Sequence, residues 1–222
     1  MIFNKRVPSV DIFRGATILL MILVNTPGTW SAVYAPFLHA PWHGYTLTDL
    51  VFPFFLFIVG VSISLSYKDK KLKPPVFLKL SKRSLKLIGL GLFLGAFTIS
   101  FPFIEDFESI RFPGVLQRIG LVFFFTSITY LLGSKRSTAL IIGIILLAYW
   151  LWMGFLPIEG VAPTYERAVN NWANFIDLKL LGSHMWKPDY DPEGILSTLP
   201  AIATALLGTL AGDILRSNTY QK

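Results

Sequence analysis

The chain alternates long apolar runs with short polar joints. Runs of roughly 20 residues, the length that crosses a bilayer core of roughly 30 Å, recur at about Val10 to Trp30, Thr48 to Tyr67, Ser84 to Phe103, Val115 to Leu132, Ser137 to Leu156 and Gly194 to Leu215. The joints between them are distinct. One is broken by proline and glycine and carries two histidines, His39 and His43. Another is lysine-rich around Pro74-Pro75, and a third is acidic at Glu105-Asp106-Phe107-Glu108. Gly133-Ser134-Lys135-Arg136 is a tight basic turn, and a long polar loop covers Pro157 to Glu193. The pattern predicts an all-α fold, a polytopic transmembrane helical bundle of about six spans in a single domain over residues 1–222. Two helix starts carry signals of their own. Thr46-Leu47-Thr48-Asp49 has capping-box form. Asp191-Pro192-Glu193 predicts a cap residue, a first-turn proline and an acidic first turn for the last span.

Composition supports this reading. Hydrophobic residues make up 53% and charged residues 15%, against about 25% charged in soluble domains, and the mean hydropathy is +0.57. The net charge of +7 is explained by topology and needs no nucleic-acid partner. Lys and Arg gather at the N-terminus (Lys5, Arg6), in 68–83, at 135–136 and in the C-terminal tail. The alternate joints have none before Thr48, then Arg111, then Arg167, Lys179 and Lys187. By the positive-inside rule both termini are predicted to be cytoplasmic, and the His39 loop and the 157–193 loop share the periplasmic or luminal face. With no cysteine, disulfides and thiolate chemistry are excluded. No convincing small-residue cleavage site follows Arg14, so the first run is read as a span and not as a signal peptide.

Ionisable and amide side chains inside spans are costly, and each is a candidate. On a helix Arg14 and Asn25 fall within about 20° of each other and Asp11 about 60° to one side, forming one polar stripe. Asp11 and Arg14 also suit a juxtamembrane ion pair, and Asn25 an interhelical hydrogen bond. His39 offers an imidazole that can carry a proton or attack an acyl carbon; it also reads as a loop histidine without a role. His43, four residues on, invites a metal reading, but Pro41 and Gly44 break the helix such a pair needs and no third ligand stands nearby, so no metal is expected. Trp42 fits an interfacial aromatic anchor. Asp49 caps the second span or pairs with Arg118, whose buried guanidinium needs an acidic or phosphate partner. Asp213 and Arg216 read as an end-of-helix pair.

Several blocks resemble a known family. Asp11-Ile12-Phe13-Arg14-Gly15, Val24-Asn25, His39-Ala40-Pro41-Trp42-His43-Gly44-Tyr45-Thr46 and Asp49-Leu50-Val51-Phe52-Pro53 are similar to the first two helices of the heparan-α-glucosaminide N-acetyltransferase family and its bacterial relatives. Arg111-Phe112-Pro113-Gly114-Val115-Leu116-Gln117-Arg118 resembles a further block, as does Asp191-Pro192-Glu193-Gly194 with Leu199-Pro200. The resemblance implies a multispanning acyltransferase of the bacterial inner (cytoplasmic) membrane. It would take acetyl-CoA from the cytosol as co-substrate and acetylate an amino sugar or glycan at the outer face, with homodimerisation left open. It aligns the family's active-site histidine with His39 and its asparagine with Asn25. Arg14, with Asp11 and the basic 68–83 segment, is expected near the CoA phosphates. The chain is expected to be the N-terminal six-helix part of the family pattern and to lack its C-terminal helices. Two other readings use the same polar residues: a transporter with Arg14, Asn25 and Arg118 along a solute path, and a membrane scaffold.

Overall fold

The computed structural model describes residues 7–68, 70–99, 101 and 103–219; Lys5, Arg6 and Lys222 lie outside them. Among the described residues seven α-helices run in the order α1 (Pro8–Asn25), α2 (Leu47–Tyr67), α3 (Pro74–Ala96), α4 (Val115–Leu132), α5 (Lys135–Phe155), α6 (Trp172–Leu181) and α7 (Thr198–Thr219). There is no strand among the described residues, and five of these helices (α1, α2, α4, α5 and α7) are long and apolar enough to cross a membrane.

The bundle is built on the pair α2 and α7. Gly60 faces the carbonyl of Ala205 and Gly212 faces Ser64, so the two helices run parallel at close range; a Cβ on Gly60 would lie 1.8 Å from that carbonyl oxygen. Helices α4 and α5 close the core around this pair, with Leu56, Val122, Ile142 and Leu206 buried together. A second cluster, Ile63, Tyr67, Leu80 and Phe123, joins α2, α3 and α4. The first helix rests on α2, with the Phe13 ring 5.1 Å from Phe54.

Helix α3 departs from the predicted span of 84–103. Its prolines occupy the first turn, where a missing N–H is harmless, and the lysine-rich stretch that reads as a joint continues as helix because Lys and Arg are good helix formers. It ends at Ala96, after which the chain doubles back, with Glu105 N–H donating to Ala96 O at 2.9 Å. Lys79, Lys82, Arg83 and Lys86 in its first half keep it from being apolar over a full span. It nonetheless lies antiparallel along α4: Ser84 Oγ donates to Gly120 O at 2.8 Å, and Phe77 packs on Phe124.

Other ends also shift. The first span stops at Asn25, not Trp30, because Pro27 pushes Thr26 out of the helical region, and the chain leaves α1 at Thr26 (φ −127, ψ 55). The last helix begins at Thr198, not Gly194. Asp191 does not cap it; its carboxylate turns to Arg111 and to two backbone N–H groups, Trp186 at 2.8 Å and Glu193 at 2.8 Å. The long polar loop contains α6, capped by Asn171, whose Oδ1 accepts from Ala173 N at 3.0 Å. Asp213 is buried and accepts from Tyr130 of α4 at 2.9 Å.

Candidate active site

The stretch from His39 to Asp49 folds as the entrance to α2. Gly44, with φ +89, makes the turn that L-residues resist. Asp49 stands in the first turn of α2, and one of its oxygens accepts from Thr46 N at 2.9 Å, as the capping-box pattern predicts. That oxygen also accepts from Ala40 N at 3.1 Å, while the Thr46 hydroxyl lies 2.6 Å from Leu38 O. The other oxygen of Asp49 lies 2.6 Å from His39 Nδ1. A carboxylate at a helix N-terminus is favoured by the dipole there, so Asp49 is a fixed anion aimed at one imidazole nitrogen. The His39 side chain is 70% exposed and its Nε2 is left for a reacting partner.

Two neighbours tie this loop to the segment before α6. Trp42 Nε1 donates to Tyr165 O at 2.8 Å, and its ring stands edge-on to Tyr190 at 5.3 Å. Trp42 is therefore a cross-tie between loops as well as an aromatic at the bundle's end. His43 Nε2 lies 3.0 Å from Glu166 Oε2. The His39 loop and the 157–193 loop thus share one end of the bundle. Among the described residues no group of three or more His, Cys, Asp or Glu side chains gathers as a metal site.

The pairing of Asp49 with Arg118 does not form. Arg118 is 7% exposed; it donates to Gly194 O at 2.8 Å and to the Ser197 hydroxyl, while its Nε has no partner. Asp49 is drawn instead to His39, only ten residues away. Arg118 shares its neighbourhood with a carboxylate network that sequence reasoning did not assemble. Arg111 Nε donates to Asp191 at 2.8 Å and its Nη2 reaches Glu193. Asp177 of α6, only 1% exposed, accepts from Ile195 N at 2.8 Å and is pressed against Gly194, whose missing side chain makes the room.

Burial pushes the Asp177 carboxyl up to about 6, against the Ile195 N–H bond and the Arg118 charge that pull it down. Its folded value thus exceeds the usual 3.8, and the folded state holds a proton that the unfolded state loses first. This stabilisation is complete below about pH 4 and is lost as pH rises towards about 6, up to about 3 kcal/mol in all. Asp177→Asn keeps an acceptor for Ile195 N without the charge. The melting temperature of the variant minus that of the wild type should therefore rise between pH 4 and 7; a difference flat across that range would contradict the assignment.

Asn25 is exposed at the end of α1, and its amide donates to Met21 O at 2.9 Å. No hydrogen bond joins it to His39 among the described residues. Arg14 does leave its own helix: one Nη holds Asp11 at 3.2 Å and the other reaches Ser62 Oγ of α2 at 3.3 Å. It opens onto a cavity of about 510 Å³ between α1, α2, α3 and α4, lined also by Ser62, Ser66, Tyr67 and Arg83. The Arg83 guanidinium lies 4.6 Å over the Phe123 ring. As one member of a lysine-rich run, Arg83 carries no individual signal in the sequence.

Comparison with known proteins decides the family. The model described as "Heparan-alpha-glucosaminide N-acetyltransferase, catalytic" matches residues 6–222. The chain belongs to this family. The human protein named heparan-alpha-glucosaminide N-acetyltransferase is 34% identical over 95% of this chain and 38% of its own length. For the mouse protein of that name the figures are 32%, 95% and 39%. The chain thus spans about two fifths of these relatives. The family match runs through both the His39–Asp49 stretch and the Arg111–Asp191 network, so both belong to the part shared with the N-acetyltransferases.

Proposed function

We propose that the chain is a membrane-bound acyltransferase that moves an acetyl group from cytosolic acetyl-CoA to an amino sugar or glycan at the periplasmic or luminal face, with His39 as its base. The observation that carries this reading is the bond between His39 Nδ1 and Asp49 Oδ1 at 2.6 Å, on a loop at the end of the bundle, in a chain of an N-acetyltransferase family. The lysine and arginine bias supports the orientation, and a bacterial inner membrane is the proposed location.

With its Nδ1–H held by Asp49, the neutral imidazole presents an Nε2 lone pair. His39 would accept a proton from the acceptor nitrogen as that nitrogen bonds to the acetyl carbon and the carbon–sulfur bond breaks. It would then return the proton to the departing sulfur. Asp49 fixes the tautomer and stabilises the imidazolium between these two transfers. Alternatively Nε2 itself bonds to the acetyl carbon as the carbon–sulfur bond breaks and CoA leaves as its thiolate; the acceptor nitrogen then bonds to that carbon, the carbon–imidazole bond breaks, and the acceptor's proton passes to the freed Nε2. Asn25 retains a second amide hydrogen suited to polarising the acetyl carbonyl. Arg14, with Asp11 behind it and Arg83 across the cavity, offers guanidinium groups to phosphates. The cavity's charge and hydroxyl lining suit a long, phosphorylated, partly apolar donor. Trp42 and Arg118 are positioning residues, one holding the loop and the other the chain around Gly194.

Incubating the purified membrane protein with radiolabelled acetyl-CoA, with and without glucosamine, tests the reading. Labelled acetylglucosamine is expected; acid-labile label on the protein before acceptor is added would select the covalent route. No transfer and no CoA binding by a folded protein would sink the proposal. CoA-independent sugar flux in vesicles would turn it towards a transporter.

A further inference from the structure

The outward face of α3 has an order that its packing does not use; of the helical part of the basic 68–83 segment that the family resemblance sets near the CoA phosphates, Arg83 borders the Arg14 cavity and Lys79 and Lys82 do not. Residues 70–104 contain seven basic side chains and no acidic one. On the helix Arg83 stands at a border, lining both the cavity with Arg14 and the outer groove, whereas Lys79, Lys82 and Lys86 share a sector of about 60° on the opposite side from the α4 contact. None of the three lysines has a carboxylate partner among the described residues. They line a shallow groove of about 610 Å³ with Leu78 and Leu90. Along the same stripe, towards the C-terminal end, come Gly89, Leu90, Phe93 and Phe97; the last three are exposed and the Phe93 and Phe97 rings are 6.1 Å apart. The space in front of Gly89 is open, with no atom within 4 Å of where a Cβ would be. From Lys86 to Phe97 the helix rises about 16 Å, close to the half-thickness of a bilayer core, about 15 Å.

We propose that this face is a binding site for one anionic phospholipid. Its phosphate sits on Lys79, Lys82 and Lys86, and one acyl chain runs over the notch at Gly89 along Leu90, Phe93 and Phe97. Charge complementarity selects the headgroup, and the basic-to-apolar order along one face matches the head-to-tail order of a lipid. Paired lysines, or an unbroken apolar stripe, would have matched only bulk lipid.

The test compares nanodiscs of phosphatidylcholine alone with nanodiscs containing phosphatidylglycerol, reading thermal unfolding and, by native mass spectrometry, lipids retained on the protein. Wild type should melt higher with phosphatidylglycerol and retain one copy. The triple variant K79Q/K82Q/K86Q should lose both effects, with about five-fold weaker retention for each lysine removed. Gly89→Phe, which leaves the charges in place, should weaken retention by filling the notch. Lys68→Gln with Lys135→Gln, basic residues off this face, should change neither. Equal melting in the two lipids, a triple variant that keeps the effect, or a control pair that loses it as fully would overturn the proposal. So would a wild-type dimer that the triple variant converts to monomer, which would assign the face to a second copy of the chain.

Discussion

His39→Ala is expected to lower acetyl transfer by about 10³-fold, within the range that a positioned general base contributes, while leaving the melting temperature close to that of wild type. The second half of this expectation follows from exposure: the imidazole stands largely in solvent, and its removal opens no cavity. Asp49→Asn separates positioning from chemistry. It keeps a polar group of the same shape in the first turn of α2 but removes the charge that orients the imidazole, so turnover should fall less than in His39→Ala and the pH–rate profile should move. Turnover by His39→Ala equal to wild type, with acetyl-CoA and glucosamine, would show that the base is elsewhere. His43→Ala, whose imidazole is turned to Glu166, should retain most activity.

The largest effect on the fold is expected at the α2–α7 crossing. A Cβ at Gly208 would lie 2.1 Å from the carbonyl oxygen of Phe57, and one at Gly60 meets backbone on the facing helix. Backbone cannot rotate away as a side chain can, so Gly60→Val or Gly208→Val must force the helices apart. Overpacking of this kind costs about 3 kcal/mol or more, and in a membrane, close approach at small residues is a main source of helix association. Both variants should unfold at much lower temperature in detergent, or fail to accumulate as folded protein. Gly143→Ala on α5, where nothing lies within 4 Å, is the matched control. Wild-type melting in Gly60→Val would mean that this contact does not hold the bundle together.

Much of this architecture is legible as hydrophobic periodicity and cap chemistry, because both are local. The α4 run is found within its predicted bounds, and the Thr46–Asp49 signal marks a real helix start. What the sequence conceals is mostly nonlocal. Asp191 has the spacing of a cap, yet Arg111, 80 residues earlier, takes its carboxylate. Asp49 caps α2 as its spacing predicts, but its charged partner is His39 of the preceding loop and not Arg118. Helix α6 is short and surrounded by turn residues, so its ten residues blend into a polar loop. The start of α3 is hidden because lysine reads as a joint between spans, whereas its long aliphatic stem is also compatible with a helix flank at the membrane surface. His39 itself stands out only through the family resemblance; by residue type alone His43 is its equal.

The sequence separations of these contacts bear on how the protein is made. The His39–Asp49 bond spans ten residues and lies within the hairpin of the first two membrane helices. The bonds that fix the Gly194 region, from Arg118 and Arg111, reach across 76 and 80 residues. Loop closure favours the short connection, and chains emerge N-terminus first during synthesis. The imidazole and its carboxylate can therefore lock together while α7 is still in the ribosome. The proposed dyad is thus an early folding product, and the later steps of biogenesis fall on the helices that complete the bundle beneath it.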